Sequence, residues 1–290
     1  MLISIFTPTY NRAHLLPKLY ESLYRQTYRD FEWIIVDDGS KDGTKEVVNS
    51  QFIIHNSKFP VRYFYQENGG KHRAINRGVK EAQGELFFIA DSDDWLPENA
   101  LTIVAEEYAK IKDDSTVAGV AGLDYYDKGG VVGSGLPKDT IDCNAIDIRL
   151  KHHVTGDLKE VFRTSVLREF TFPEIEGERF CPEQLVWFRI AQKYKLHYFN
   201  RPIYIAAYQE QGITAGIVKV RMNSPIASMM CYQELNGYDV PLPQKIKAAI
   251  NYWRFRLCSK GHKHIPHLPW WWNWVMPMGW LMHLNDKRKV

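Results

Sequence analysis

The chain is expected to form an α/β fold, a mostly parallel twisted sheet with helices on both faces. Three observations predict it. Short apolar runs at residues 2–7, 31–36, 61–65 and 86–90 read as buried strands. Segments with helical spacing alternate with them, as parallel crossovers require. Each run also ends in a short polar loop, so the chemistry-bearing residues collect at the carboxyl ends of the strands, where open α/β sheets place their ligand crevices.

Taken in order, residues 2–7 form a first strand that Pro8 is expected to end. Leu15, Leu16, Leu19, Tyr20, Leu23 and Tyr24 then recur on one face of a helix that stops near Thr27. Residues 31–36 form the second strand, followed by the turn-rich Asp37-Asp38-Gly39-Ser40. A helix is expected over 44–54, a strand over 61–65, a loop at Asn68-Gly69-Gly70 and a helix over 72–82. The strand at 86–90 leads into Asp91-Ser92-Asp93-Asp94, and a helix follows Pro97 to about 111. A strand is expected around 117–123, then an irregular Gly/Asp-rich region over 124–160 suited to facing a substrate. Residues 183–194 read as helix, 196–208 as extended, and 211–260 as mainly helical with breaks at Pro225, Pro241 and Pro243. There is no internal repeat.

With 290 residues, 45% hydrophobic and 24% charged, the composition is that of a soluble globular protein with a full core. A net charge of +3 argues against a nucleic-acid partner for the chain as a whole. The charge is unevenly placed. Residues 245–290 hold nine Lys/Arg against Asp286 alone, net +8, so residues 1–244 carry −5. The four cysteines show no metal spacing and read as free thiols of a cytoplasmic protein. Met1-Leu2-Ile3-Ser4-Ile5-Phe6 reads as a strand and not a signal peptide, and no run of about 18 apolar residues suggests a membrane span.

The loops after the first four strands carry Pro8-Thr9-Tyr10-Asn11, Asp37-Asp38, Gly69-Gly70-Lys71 and Asp91-Ser92-Asp93-Asp94. Together they supply what a nucleotide needs: an aromatic to stack on a base, carboxylates for a base or ribose, and a cation and a metal against the phosphates. Hard oxygen ligands at such an edge suit Mg²⁺ or Mn²⁺. Each feature has a plainer alternative. Tyr10 could be a core aromatic, Asp37 and Asp38 could build a turn, Lys71 could be a solvated helix start, and Asp93 or Asp94 could cap the following helix.

Three segments, Ile3-Ser4-Ile5-Phe6-Thr7-Pro8-Thr9-Tyr10, Val36-Asp37-Asp38-Gly39-Ser40 and Asp91-Ser92-Asp93-Asp94, resemble in order and spacing the N-terminal motifs of family 2 glycosyltransferases. The resemblance runs over about residues 1–210. It implies the GT-A fold, with Pro8 and Tyr10 on the nucleotide, Asp38 on the base (usually uracil), Asp91 near the ribose and Asp93 on the divalent ion. One departure stands out. Where many members carry Ala-Arg-Asn, this chain has Ala74-Ile75-Asn76, leaving Lys71 or Arg73 to replace the arginine.

Inverting transfer needs a carboxylate base. The stretch from Arg179 to Arg189 is similar to the family's Glu-Asp motif, and counting back from Arg189 puts Glu183 at the catalytic aspartate's position and Pro182 at the preceding glutamate's. Glu178 is the next choice, and a plain first-turn acid is the alternative. His152 and His153 lie in the acceptor region and read as ordinary surface or packed histidines.

The expected organisation is a glycosyltransferase domain over 1–210, with a donor half to about 123 and an acceptor half over 124–210. A helical extension over 211–290 ends in a tail at 266–290. That tail, with Trp270-Trp271-Trp272, Trp274, Trp280 and Lys287-Arg288-Lys289, is expected to lie on an anionic membrane surface at the inner face of the plasma membrane. A hydrophobic cap on the main domain or an oligomer contact is the alternative. The function expected is inverting, metal-dependent transfer of a sugar from a nucleotide-diphospho-sugar, UDP-linked by the resemblance, to a lipid-linked saccharide in surface-polysaccharide synthesis. A binding or scaffold protein with a dead site, and nucleotidyl transfer, are the competing classes.

Overall fold

The computed structural model describes residues 1–54, 58–207, 216–259, 261 and 264–289. It divides into two compact units, Met1–Thr171 with Arg189–Tyr208, and Phe172–Phe188 with Gln209–Val290. Phe172–Phe188 thus groups with the C-terminal unit, although the sequence reading places it in the first domain.

The first unit is built on one eight-stranded sheet in the order β3-β2-β1-β4-β7-β5-β8-β6. The strands are β1 (Ile3–Thr9), β2 (Phe31–Asp37), β3 (Val61–Tyr65), β4 (Leu86–Ile89), β5 (Val117–Tyr126), β6 (Thr140–Cys143), β7 (Leu158–Arg163) and β8 (Lys195–Ala206). β1 to β4 pair in parallel, and so do β5 and β8; β7 and β6 run antiparallel to their neighbours. The helices of this unit are α1 (Leu16–Tyr24), α2 (Thr44–Val47), α3 (Lys71–Glu81), α4 (Ala100–Ile111), α5 (Asp147–Leu150) and α6 (Thr164–Glu169). α2 runs on into a wide turn over Val48–Ile53, so the long helix expected over 44–54 is mostly π-wound.

One face of the sheet presents Ile3, Ile5, Trp33, Ile35, Leu86 and Phe88 to the apolar stripes of α1 and α4. The stripes exist because Leu16, Leu19 and Leu23, and Leu101, Val104 and Tyr108, recur every three to four residues. Polar groups buried within the sheet are paired: Ser4 Oγ donates to Glu32 at 2.6 Å, and Arg62 Nη1 reaches the same carboxylate at 3.0 Å.

Two expectations are corrected. Pro8 does not end β1, which pairs with β2 through Pro8 and Thr9. The Phe6 carbonyl accepts from Ala90, on the β4 side, and that of Thr9 from Asp38, on the β2 side. Pro8 alternates with Thr9, so its missing N–H faces the β4 side. Pairing with β4 stops there, at Phe6 and Ile89, and frees the chain to turn into its acidic loop. The second correction is larger. Residues 124–160 are not a loop region: β6, α5 and the start of β7 lie there, and β7 sits mid-sheet between β4 and β5.

α7 (Glu183–Ala191) spans the division between the units. The second unit otherwise holds α8 (Ile217–Asn223), α9 (Pro225–Gly237), α10 (Leu242–Arg256), a 3₁₀ turn at Trp270–Val275 and α11 (Met276–Lys289). The helical stretch breaks at Pro225 as expected: α8 ends at Asn223, Ser224 is non-helical, and Pro225 opens α9, as suits proline at a first helical position. Its core joins Ile226, Met229, Ala249, Tyr252, Phe255, Leu268, Trp272 and Val275. Arg254 ties α10 to α11, its Nη2 donating to Asp286 at 2.7 Å. Tyr208 and residues 211–215, at the ends of two expected elements, and Lys260 and Lys263 of the basic tail lie outside the described residues.

Candidate functional site

The parallel ladder brings the ends of β1, β2, β3 and β4 to one edge, and their loops are stitched together. Asn11 N–H donates to Ser40 Oγ and Lys41 N–H to Asn11 Oδ1, each at 2.8 Å, so the first two loops are tied together. Pro8 lies within β1, and Tyr10 just beyond it is 48% exposed, not a core aromatic.

Asp37 and Asp38 divide their work. Asp37 accepts from Ser40 N–H and from the Tyr63 hydroxyl, both at 2.7 Å, and so builds the turn. Asp38 organises the third loop, accepting from Gln66 Nε2 at 2.8 Å and from the N–H groups of Gly69 and Gly70 at 2.9 and 2.7 Å. A carboxylate has about four acceptor positions, so one remains for a ligand. The loop geometry requires glycine twice. Gly39 has φ +91°, and a Cβ there would lie 2.9 Å from the backbone nitrogen of Asn68. Gly70 has φ +97°, which aims its N–H at Asp38.

The acidic loop follows β4. Lys71 Nζ lies 2.7 Å from Asp91, and Arg12 Nη1 lies 2.8 Å from Asp93 and 3.4 Å from Ser92 Oγ. Lys71 therefore stands at the site. Arg73 bonds back to the Gly69 carbonyl at 2.9 Å, and Ile75 is buried. Asp94 is a structural member: it accepts from the Tyr204 hydroxyl and the Ala207 N–H, both at 2.8 Å, and Tyr204 in turn accepts the Asp91 N–H at 2.8 Å. Neither Asp93 nor Asp94 caps α4. The Leu101 N–H goes to Gln26 Oε1 at 3.1 Å, a contact no local pattern announces.

The electrostatics separate these carboxyls. Burial opposes ionisation of Asp91, but Lys71, Lys159 and Arg12 outweigh it and hold it at about 2. Burial and the Asp91 charge push Asp94 up to about 6. Burial, only partly offset by Lys159, pushes Asp124 up to about 7. Glu160 keeps some contact with solvent, yet the packing around it pushes it up to about 8. Arg12, Asp124, Lys159 and Tyr204 were not singled out by sequence. Arg12 sits two residues past Tyr10, and Lys159 lies in the unread strand β7.

Among the described residues no group of three or more His, Cys, Asp or Glu side chains is arranged to hold a metal ion. A lone Asp93 fits Mg²⁺ or Mn²⁺ only in the manner these ions favour with nucleotides, through one or two carboxylates completed by substrate phosphates.

Glu183 is the first residue of α7 and partly exposed. Glu178, the alternative base, is buried and takes the Ile226 and Ala227 N–H groups at 2.6 and 2.9 Å, so it fixes the start of α9. His152 is half-buried and His153 exposed, the latter with φ 54°. In the tail, Trp272 is buried while Trp270 is 75% exposed and Trp271, Trp274 and Trp280 also face outward. No helix among the described residues is long and apolar enough to cross a membrane.

Residues 4–138 match the family model described as glycosyl transferase family 2. Those residues, a little under half of the chain, are similar to that family. It is 38% identical over 119 residues to glycosyltransferase GlyG of Streptococcus pneumoniae, covering 41% of this chain and 38% of that protein. Over 225 residues it is 29% identical to the GalNAc(5)-diNAcBac-PP-undecaprenol beta-1,3-glucosyltransferase of Campylobacter jejuni, covering 75% of this chain and 68% of that protein. The chain thus spans well under half of one relative and about two thirds of the other. The crystal structure of S. aureus TarS 1-349 in complex with UDP-GlcNAc superposes with a TM-score of 0.64 at 18% identity, covering 99% of this chain and 90% of that one. The fold is GT-A, with a C-terminal helical extension.

Proposed function

We propose that the protein transfers a sugar from a nucleotide-diphospho-sugar, UDP-linked, to a hydroxyl of a lipid-linked saccharide, with inversion. The observation that carries this reading is the convergence of Asp38, Lys71, Asp91 and Asp93 at the β1–β4 edge of a family 2 domain. The UDP-GlcNAc held by the TarS structure supports the nucleotide class, and the name of the Campylobacter relative supports an acceptor on a polyprenyl diphosphate.

In this reading Tyr10 stacks on the base and Pro8 shapes its seat, while Asp38 accepts from the base through its remaining acceptor position. Asp91, kept ionised by Lys71, faces the ribose, and Lys71 exchanges toward the phosphates when the donor arrives. When bound at Asp93, Mg²⁺ or Mn²⁺ offsets negative charge on the departing diphosphate. Arg12, now paired with Asp93, neutralises that carboxylate until then. Glu183 removes the acceptor proton as the oxygen attacks the anomeric carbon, a single displacement that inverts it. The exposed tryptophans and the basic tail hold the enzyme on the inner leaflet, where a lipid-linked acceptor lies.

The test is calorimetric binding of a panel of nucleoside diphosphates with and without Mn²⁺, on the intact chain and on Asp93→Ala. Mn²⁺-dependent binding of UDP, lost in Asp93→Ala, is expected. Failure of every nucleoside diphosphate to bind would overturn the reading.

A further inference from the structure

We propose that Asp124 and Lys159 form the subsite for the sugar of the donor, with Asp124 accepting hydrogen bonds from its ring hydroxyls and Lys159 donating to them; this rests on the donor reading above.

The topology sets the place. Asp124 lies two residues before the end of β5 and pairs in register with Tyr204 of β8, and Lys159 of β7 pairs with Gly122 of β5. Because β7 is antiparallel, its first residues lie at the edge where the parallel strands end. The Lys159 ammonium sits 3.5 Å from the centre of the Tyr204 ring, whose hydroxyl bonds Asp94 of the acidic loop. Asp124 and Lys159 therefore stand beside the loop that carries Asp91 and Asp93.

The chemistry sets the ligand. Asp124 is only 6% exposed, and its Oδ1 is fully buried with no hydrogen-bond partner. Its backbone is fixed, since its carbonyl accepts from Val132 N–H at 2.8 Å. The other acids of this edge are engaged: Asp37 and Asp38 by loop donors, Asp91 by Lys71, Asp93 by Arg12 and Asp94 by Tyr204. A buried acceptor left open costs stability, so one aimed beside a binding loop marks a place where a ligand supplies the donor. Lys159 disfavours a second cation there, and the surrounding carboxylates disfavour a phosphate. A neutral ring with several hydroxyls satisfies both side chains at once, because each hydroxyl both donates and accepts.

The experiment compares Kd for UDP and for UDP-glucose, UDP-galactose, UDP-GlcNAc and UDP-GalNAc with Mn²⁺ by calorimetry, using the intact chain, Asp124→Asn and Lys159→Gln. In both variants the Kd of the preferred UDP-sugar is expected to rise about tenfold or more, the loss of one charge-assisted hydrogen bond, while the Kd of UDP moves less than twofold. Equal weakening of UDP and UDP-sugar, or no weakening of either, would overturn the subsite with the donor reading intact. If the intact chain binds no UDP or UDP-sugar, the donor reading fails and the subsite with it. Thermal melting of each variant identifies one that fails to fold, and the other then decides.

Discussion

Tyr204 donates its hydroxyl to Asp94 and receives the Asp91 N–H, each at 2.8 Å, so one phenol on β8 pins both ends of the acidic turn after β4. Burial and the two nearby carboxylates raise that hydroxyl far above its ordinary range, so it stays a donor at any working pH. Tyr204→Phe leaves a buried carboxylate oxygen and a backbone N–H without partners. We predict a stability loss of about 2–3 kcal/mol in urea unfolding, together with weaker UDP binding as the turn loosens. A phenylalanine variant with unchanged stability would show that the pin carries no weight.

The raised Asp124 carboxyl gives a pH signature. Its ordinary value is near 4 and its folded value about 7. Below pH 4 it is neutral in both states and costs nothing. Between about pH 4 and 7 the unfolded chain has released the proton and the folded one has not, so stability falls as pH rises. Three units correspond to at most about 4 kcal/mol. In EDTA and without nucleotide, urea unfolding should show Asp124→Asn equal to the natural protein near pH 4 and more stable at pH 8. Parallel curves would refute the shift.

How much of this was legible in sequence follows from which residues carry more than one duty. β1, β2 and β4 read cleanly because both faces are buried and mostly apolar, β3 because its half-buried residues are mostly aromatic and β-branched, and the loops after them bear Tyr10, Asp38, Lys71, Asp91 and Asp93. β7 did not read. Lys159, Glu160 and Arg163 put charge on both of its faces, which erases the alternation that marks a strand. Arg163 tolerates that position by donating to the carbonyls of Val117, Ile111, Lys112 and Asp114. Likewise nothing local revealed that Asp38 holds the Gly69-Gly70 loop or that Glu178 fixes α9, since each partner lies more than 30 residues away.

Glu183 tests the transfer step. Glu183→Gln keeps the length and shape of the side chain and removes its basicity. We predict that transfer falls by about 10²–10⁴-fold, while calorimetric UDP-sugar binding stays within twofold. Retained transfer would move the base elsewhere, and Glu178, bonded to α9, is not a ready substitute.

The tail requires a different experiment from the one its sequence invites. Cutting before Pro269 would remove Trp272 and Val275, which belong to the core of the second unit with Tyr252 and Phe255, so lost membrane binding would not be separable from unfolding. Trp270, Trp271 and Trp274 are exposed on the same turn and lie outside that core, although the Trp274 ring stacks on Trp272 with ring centres 6.4 Å apart. Replacing all three by serine should lower the melting temperature only slightly, through the loss of the Trp272–Trp274 stack. The variant should sediment far less with vesicles of phosphatidylglycerol and phosphatidylcholine, because interfacial binding scales with the apolar surface inserted and the basic charge beside it. Trp272→Ala should do the reverse, costing about 3–5 kcal/mol of stability through the cavity it opens. If the triple-serine protein pelleted with anionic vesicles as fully as the original, the exposed tryptophans would not be a membrane contact.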